Sequence, residues 1–340
     1  MFALALLAAA AAGGPQPGPI KAFGDWVVAC DNVHSCEMTS LMPGDGIEPS
    51  GDEYSAVALS VARTPGPAGG WTVEVMFSVT HKGEAILQAD GEIVGRGVPR
   101  NDSMVFSGAV ADRIVAKLIK AKELTVGDSA DTMVGRVSLA GSSAALRFID
   151  ADQGRAGTVT AAVAKGNKSV SAVTMVAQPP VIRSVPANGK PIKVTPALKT
   201  AMNKTSGCEE ENGGSQAEIE TAAIGGGATL ALLPCGAGAY NFMTIAFVIT
   251  GGKPEIAKFD FAPGMTEEGD DKPMLVNAGW DAKTAHLSSY SKGRGVGDCG
   301  SSEDYVWDGT RFRLVEAHQM IECRGSVNWL RVWRATPAAQ

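Results

Sequence analysis

Trp71-Thr-Val-Glu-Val-Met-Phe-Ser-Val79 decides the fold class. Trp71, Val73, Val75, Phe77 and Val79 alternate with other residues, so one face of an extended segment is apolar. A period of two is the mark of a half-buried β-strand. Upstream, residues 55–61 carry the same alternation, and Pro65-Gly-Pro-Ala-Gly-Gly70 lies between the two runs. The pair reads as a hairpin with a long turn. Shorter strands are expected at 85–87, 92–94, 104–106 and 133–139.

The period changes at 110–124. Val110, Ile114, Leu118 and Ala121 recur three to four apart with Val115 beside them, while Arg113, Lys117 and Lys120 fall elsewhere. That spacing predicts an amphipathic helix laid on a sheet. Residues 141–150 read as a second helix with Ser142 or Ser143 as N-cap. A third is expected over 196–204, with Pro196 in its first turn and its end before Gly207-Cys208. From 219 onward short strands recur between turn signals, and Trp307-Asp-Gly-Thr310 carries the Asp-Gly pair of a tight hairpin. The whole reads as a mainly β, α+β chain. It is expected to form two β-sandwich or barrel-like domains, with one or two helices packed on the N-terminal one.

Residues 1–12 are a short apolar run ending in alanines, the pattern of a secretory signal peptide. The run is too short to cross a bilayer, which takes ~20 apolar residues. A Gly/Pro-rich leader follows at 13–21, then an N-terminal domain at 22–177. Residues 178–195 hold four prolines and read as a linker that sustains neither ladder nor helix. A C-terminal domain fills 196–336. The mature chain shows no further span, and its localisation is expected to be periplasmic. The net charge of −6 lacks the basic footprint of a nucleic-acid binder.

Six cysteines in an exported chain read as a disulfide set. Clustering along the sequence suggests Cys30–Cys36, Cys208–Cys235 and Cys299–Cys323. No CxxC pair exists and the four histidines are scattered, so neither a metal site nor a cofactor is expected. Gly293-Arg-Gly-Val-Gly297 looks like part of a nucleotide loop, but a cysteine and a strand follow it where a helix is required. The alternative is a tight loop held by Cys299, with Arg294 and Asp298 as a local ion pair. No Gly-x-Ser-x-Gly elbow is present. Asp270 and Asp271 stand without the full calcium-loop pattern.

Two resemblances follow. Trp26-Val-Val-Ala-Cys30 and Leu139-Ala-Gly-Ser-Ser-Ala-Ala-Leu146 make residues 22–165 similar to the invasion-associated locus B family of exported bacterial proteins. Over nearly the whole mature chain, Trp26-Val-Val-Ala-Cys-Asp-Asn32, Cys235-Gly-Ala-Gly-Ala-Tyr-Asn241, Lys292-Gly-Arg-Gly-Val-Gly-Asp-Cys-Gly300, Tyr305-Val-Trp-Asp-Gly309 and Glu322-Cys-Arg-Gly325 resemble domain-of-unknown-function family 1176. That likeness implies a periplasmic location and supplies no activity.

Binding is the function that remains. Loops on a rigid β scaffold carry recognition, and Tyr, Trp and Arg are frequent anchors. The candidate residues are Tyr240, Asn241, Tyr290, Lys292, Arg294 and Asp298; Trp307 lies close in sequence, and Tyr240 and Trp307 are the ones expected in the core. The reading is a non-catalytic binding or scaffold protein whose partner is an envelope protein or a cell-wall component. One alternative is an inhibitor of a lysozyme-like lytic enzyme, using Ser289, Ser291 and Lys292 on a protruding loop. Another is an enzyme acting on glycan or peptide, which requires a pocket with convergent titratable groups.

Overall fold

The computed structural model describes residues 14–44, 53–130, 132–208, 218–264, 266, 272–326 and 328–339. The signal-like run, the acidic stretch at 209–214 and Asp270-Asp271 lie outside them. The chain runs β1 Ile20–Phe23, β2 Trp26–Cys30, β3 Cys36–Ser40, a helical turn α1 Glu53–Ala56, β4 Val57–Arg63 and β5 Trp71–Phe77. Next come β6 Ala85–Ala89, β7 Glu92–Gly97, β8 Ser103–Ser107, α2 Gly108–Leu118, β9 Glu123–Asp128, β10 Met133–Ser138 and α3 Ser142–Asp152. A 3₁₀ turn at Val170–Ala172 precedes β11 Val181–Ser184 and α4 Pro196–Ser206. Then follow β12 Glu220–Gly225, β13 Ala228–Ala237, β14 Phe242–Thr250, β15 Lys253–Ile256 and β16 Met274–Val276. The last strands are β17 Gly279–Asp281, β18 His286–Lys292, β19 Gly300–Trp307, β20 Phe312–Met320, β21 Leu330–Arg334 and β22 Thr336–Ala339.

The protein is mainly β, with antiparallel sheets and no closed barrel among the described residues. A six-stranded sheet, β1-β2-β3-β4-β5-β8, and a four-stranded sheet, β10-β9-β6-β7, enclose one core with α2 and α3. Trp26, Leu59, Val73, Val75, Ile114 and Leu146 lie at its centre. Two five-stranded sheets follow: β12-β13-β14-β15 with β16 beside β14, and β17-β18-β19-β20-β21. Their facing residues Leu230, Leu232, Leu287, Tyr305 and Leu314 form a second core. Met202 of α4 packs on the other side of β13 and β14, against Ala231, Leu233 and Phe247.

β2 is buried on both faces. Trp26 and Val28 enter the first core, and Val27 and Ala29 enter the second. This explains a run without a polar residue, since a strand covered on both sides has no solvent face.

Several expectations need correction. β5 ends at Phe77, opposite Val57; Val79 lies past its partner and is 69% exposed. The 110–124 helix stops at Leu118, and the chain turns into β9 from Glu123. The cap of α3 is Gly141 in the left-handed region, at φ 97°. Ser142 instead donates to the carbonyls of Leu118 and Leu139, at 2.6 and 2.8 Å. The proline-rich segment does make a ladder: Val181–Ser184 pairs in parallel with Thr336–Ala339. Its own prolines flank that strand, so their missing N–H groups do not interrupt it.

Candidate functional site

The glycine-rich block between β18 and β19 is built by close approach. A Cβ on Gly293 would stand 2.6 Å from the Cys299 sulfur, and one on Gly300 would meet Ser291 O at 1.9 Å and Trp329 Cη2 at 2.9 Å. Gly300 also takes φ 142°, which disfavours side chains. Arg294 Nε donates to Asp298 Oδ1 at 2.7 Å, and the second guanidinium nitrogen pairs with Asp298 Oδ2. Asp298 Oδ2 also accepts from Gly325 N–H at 2.7 Å. Burial pushes the Asp298 carboxyl up, but these donors outweigh it and hold it below the usual range. Cys299–Cys323 closes the loop, and the other two disulfides are Cys30–Cys36 and Cys208–Cys235, as expected.

Tyr240 and Asn241 brace the same loop. Tyr240 OH donates to Gly293 O at 3.1 Å. Asn241 donates to Lys292 O at 2.9 Å and accepts from Lys292 N–H at 3.2 Å. Asn277, not singled out by sequence, donates to Asn241 Oδ1 and Tyr290 O. All six candidate residues are thus drawn into one neighbourhood, and four of them serve to position it. Tyr240 is half-buried rather than core, because its ring packs on the loop beside Gly295. Trp307 is core.

Two of the shared blocks act as buckles between the sheets. Arg324 donates to Met42 O, Gly24 O and Asp25 of the first sheet's turns. Asp31 accepts from Val33 N–H, Ser35 N–H and the Arg334 guanidinium. Asn32 exchanges two bonds with the Arg334 backbone.

What stays open is the outer face of β17 to β21. Leu287 and Ser289 of β18 point inward, so His286, Ser288 and Tyr290 share the outer face. On β19 the register places Ser302 opposite Tyr290 and Asp304 opposite Ser288. β20 brings Glu316 opposite Asp304 and His318 opposite Ser302, and Arg331 of β21 lies opposite His318. Tyr290 and Trp329 stack at 4.6 Å between centroids and 11° between planes. Tyr290 is 37% exposed. At the other end Ile182 of the β11–β22 ribbon covers Val306 and Val315. Asn328 donates to Glu37 of β3 at 2.7 Å, which sets a carboxylate on the flank. From Tyr290 to His286 the face runs roughly 14 Å at 3.4 Å per residue.

Its electrostatics are mixed. Burial raises the Asp304 carboxyl, and Glu316 raises it further, against the opposing pull of His286 and His318. Burial lowers His318, with Arg331 acting the same way and Glu316 and Asp304 against it. Arg331 contacts Glu316 at 3.3 Å and Asp31 at 3.5 Å. No carboxylate pairs with Lys292 among the described residues. Sequence reading missed His286, Glu316, His318, Arg331 and Trp329 as site residues, and it sets the Glu303-Asp304 carboxylate pair in a loop, whereas both residues lie on β19 and Glu303 is buried. Neither His286-Leu-Ser-Ser-Tyr290 nor Ser302-Glu-Asp304 alternates apolar with polar residues, so the sequence carries no signal for which side chains share this face or which strands adjoin.

Among the described residues one group of three metal-ligating types comes together, Cys30, Cys36 and Asp152. Its two sulfurs are joined in the disulfide, and His34 Nδ1 lies 2.9 Å from Asp152 Oδ2. No helix among the described residues is long and apolar enough to cross a membrane.

The model of a family described as "Protein of unknown function (DUF1176)" matches residues 20–336. The chain belongs to this family. A relative in Escherichia coli (strain K12), the uncharacterized protein YpfG, is 25% identical over 339 aligned residues, covering 92% of each chain. The crystal structure of invasion associated protein b from Bartonella henselae is 17% identical, covering 39% of this chain and 96% of that one, with a TM-score of 0.28. The blocks that carry the family resemblance, around Cys299 and Cys323, coincide with the strutted loop and the Arg324 buckle.

Proposed function

We propose that this family member is an exported periplasmic protein that binds a component of the cell envelope without catalysis, on the outer face of β17 to β21. The observation that carries the reading is the Tyr290–Trp329 stack, in which Tyr290 reaches solvent and Trp329 is half-buried against the second core, beside half-exposed polar side chains from four adjacent strands. Exposed aromatics flanked by hydrogen-bonding groups are recognition chemistry. Three disulfides favour an oxidising compartment. Charges that neutralise one another in place, as Arg331 does with Glu316, favour binding over acid–base work. The lysozyme-inhibitor alternative loses its Ser-Ser-Lys arrangement, because Ser289 is fully buried and accepts from Val276 N–H.

The test is capture from periplasmic extract and purified cell-wall fragments by the oxidised mature protein. Wild type and Arg294→Ala are expected to retain one component that Trp329→Ala releases. Capture that survives both Trp329→Ala and Tyr290→Ala places the function elsewhere.

A further inference from the structure

We infer that the ligand of this face is an oligosaccharide. The inference rests on the binding reading above and names the chemistry of what is bound.

Three features of the face point the same way. The first is the aromatic stack, which Trp329 forms by reaching over Gly300 to Tyr290. A flat π-face receives the C–H side of a sugar ring, since the ring edge is apolar while the hydroxyls point outward. The second is the neighbouring polar set. Ser288 and Ser302 offer hydroxyls, Asp304 and Glu316 accept, and Arg331 donates, all on one face by register. Asp304 stands two residues along β19 from the partner of Tyr290, roughly 7 Å away. A ring seated on the stack therefore brings its hydroxyls to the carboxylates.

The third feature is a local conflict. Asp304 and Glu316 are directly opposed across β19 and β20. Arg331 at 3.3 Å and His318 at 3.6 Å partner Glu316, while Asp304 has no ion-pair partner among the described residues; like charges opposed in a sheet destabilise it unless compensated. The Asp304 carboxylate suits a neutral ligand with a hydroxyl donor, which satisfies it without adding charge. Counting Asp304, Glu316 and Glu37 against Arg331 and Lys292, the face is close to neutral when both histidines are uncharged. It has neither the cationic surplus for an anionic polymer nor the uninterrupted apolar area for a lipid surface. A peptide is the competing occupant that the experiment separates.

Isothermal titration and tryptophan fluorescence, with the full oxidised protein, test this. The probes are an N-acetylglucosamine tetramer, peptide-free glycan strands, a set of other soluble oligosaccharides, and a cell-wall stem peptide without sugar. Saturable binding of at least one saccharide is expected, with no binding of the stem peptide. Trp329→Ala should weaken it about tenfold, the scale of one lost aromatic contact. Asp304→Asn should weaken it several-fold, and Tyr290→Phe should keep it, showing that a folded, stacked face is what counts. No saccharide binding at about 10 mM, above the range of weak affinities, overturns the inference. If the stem peptide or an envelope protein then binds and Trp329→Ala abolishes it, the binding face stands and only the ligand class falls. If nothing binds through Trp329, both fall.

Discussion

Replacing Glu303 by Gln removes a buried acid from the second core. Glu303 is 3% exposed on the inward face of β19. It accepts from the Ser301 and Ser289 hydroxyls and from Gly264 N–H. Its Oε2 has no partner among the described residues, nor has the hydroxyl of Tyr305 two positions on. Burial pushes the carboxyl up from 4.5 to about 7. An acid raised in the folded state keeps its proton there after the unfolded chain has lost it. The Glu303 contribution to stability is therefore greatest below pH 4.5, falls as pH rises toward about 7, and stays lost beyond. At 1.36 kcal/mol per pH unit the loss is roughly 3 kcal/mol. Glutamine keeps the acceptor for Gly264 and puts an amide in place of the orphaned Oε2, with no proton to lose. Urea unfolding at a series of pH values should show the variant level with wild type near pH 4.5 and about 3 kcal/mol more stable at pH 8. A difference that does not change with pH, or a variant less stable at pH 8, refutes the burial argument.

Arg324→Ala strips donors from Asp25, Gly24 O and Met42 O; a loss of about 2–4 kcal/mol is expected in urea unfolding, with Lys recovering only part because it lacks the fork. Asp31→Asn leaves Arg334 without its carboxylate and should cost about 3 kcal/mol, read as a lowered midpoint. Removing Cys299 and Cys323 together, both to Ser, opens a loop of sequence separation 24; roughly 3.5 kcal/mol should be lost, and limited proteolysis should cut at 293–298 first. Gly300→Ala has to displace both Ser291 O and the Trp329 ring, so a fall in thermal midpoint and a changed near-ultraviolet dichroism band are expected, the latter reporting the disturbed stack.

Much of the fold was legible where partners are close in sequence. The β4–β5 hairpin, the three helices and the 308–311 turn follow from local periodicity and turn chemistry. The disulfides join cysteines 6, 27 and 24 residues apart, and Arg294 meets Asp298 four residues on. Val181–Ser184 was unreadable because its partner, Thr336–Ala339, lies at the far end of the chain. The same holds for Arg324 with Asp25 and Arg334 with Asp31. Asp25, Asp31 and Arg324 are charged residues in loops and Arg334 ends β21, and nothing local separates a buckle from a solvated side chain. His286 and His318 looked scattered because only strand order puts them on one face.

The sequence by itself determined which segments extend, which coil, where the chain turns and which cysteines pair, because these depend on side-chain period, φ preference and short loop closure. Only the tertiary structure decided which strands adjoin, that β2 is covered on both faces, and that Tyr290, Trp329, Asp304, Glu316 and Arg331 share one surface. Sheet pairing is a long-range choice among many strands of similar pattern. It is settled by how all the buried faces pack at once, which no single stretch encodes.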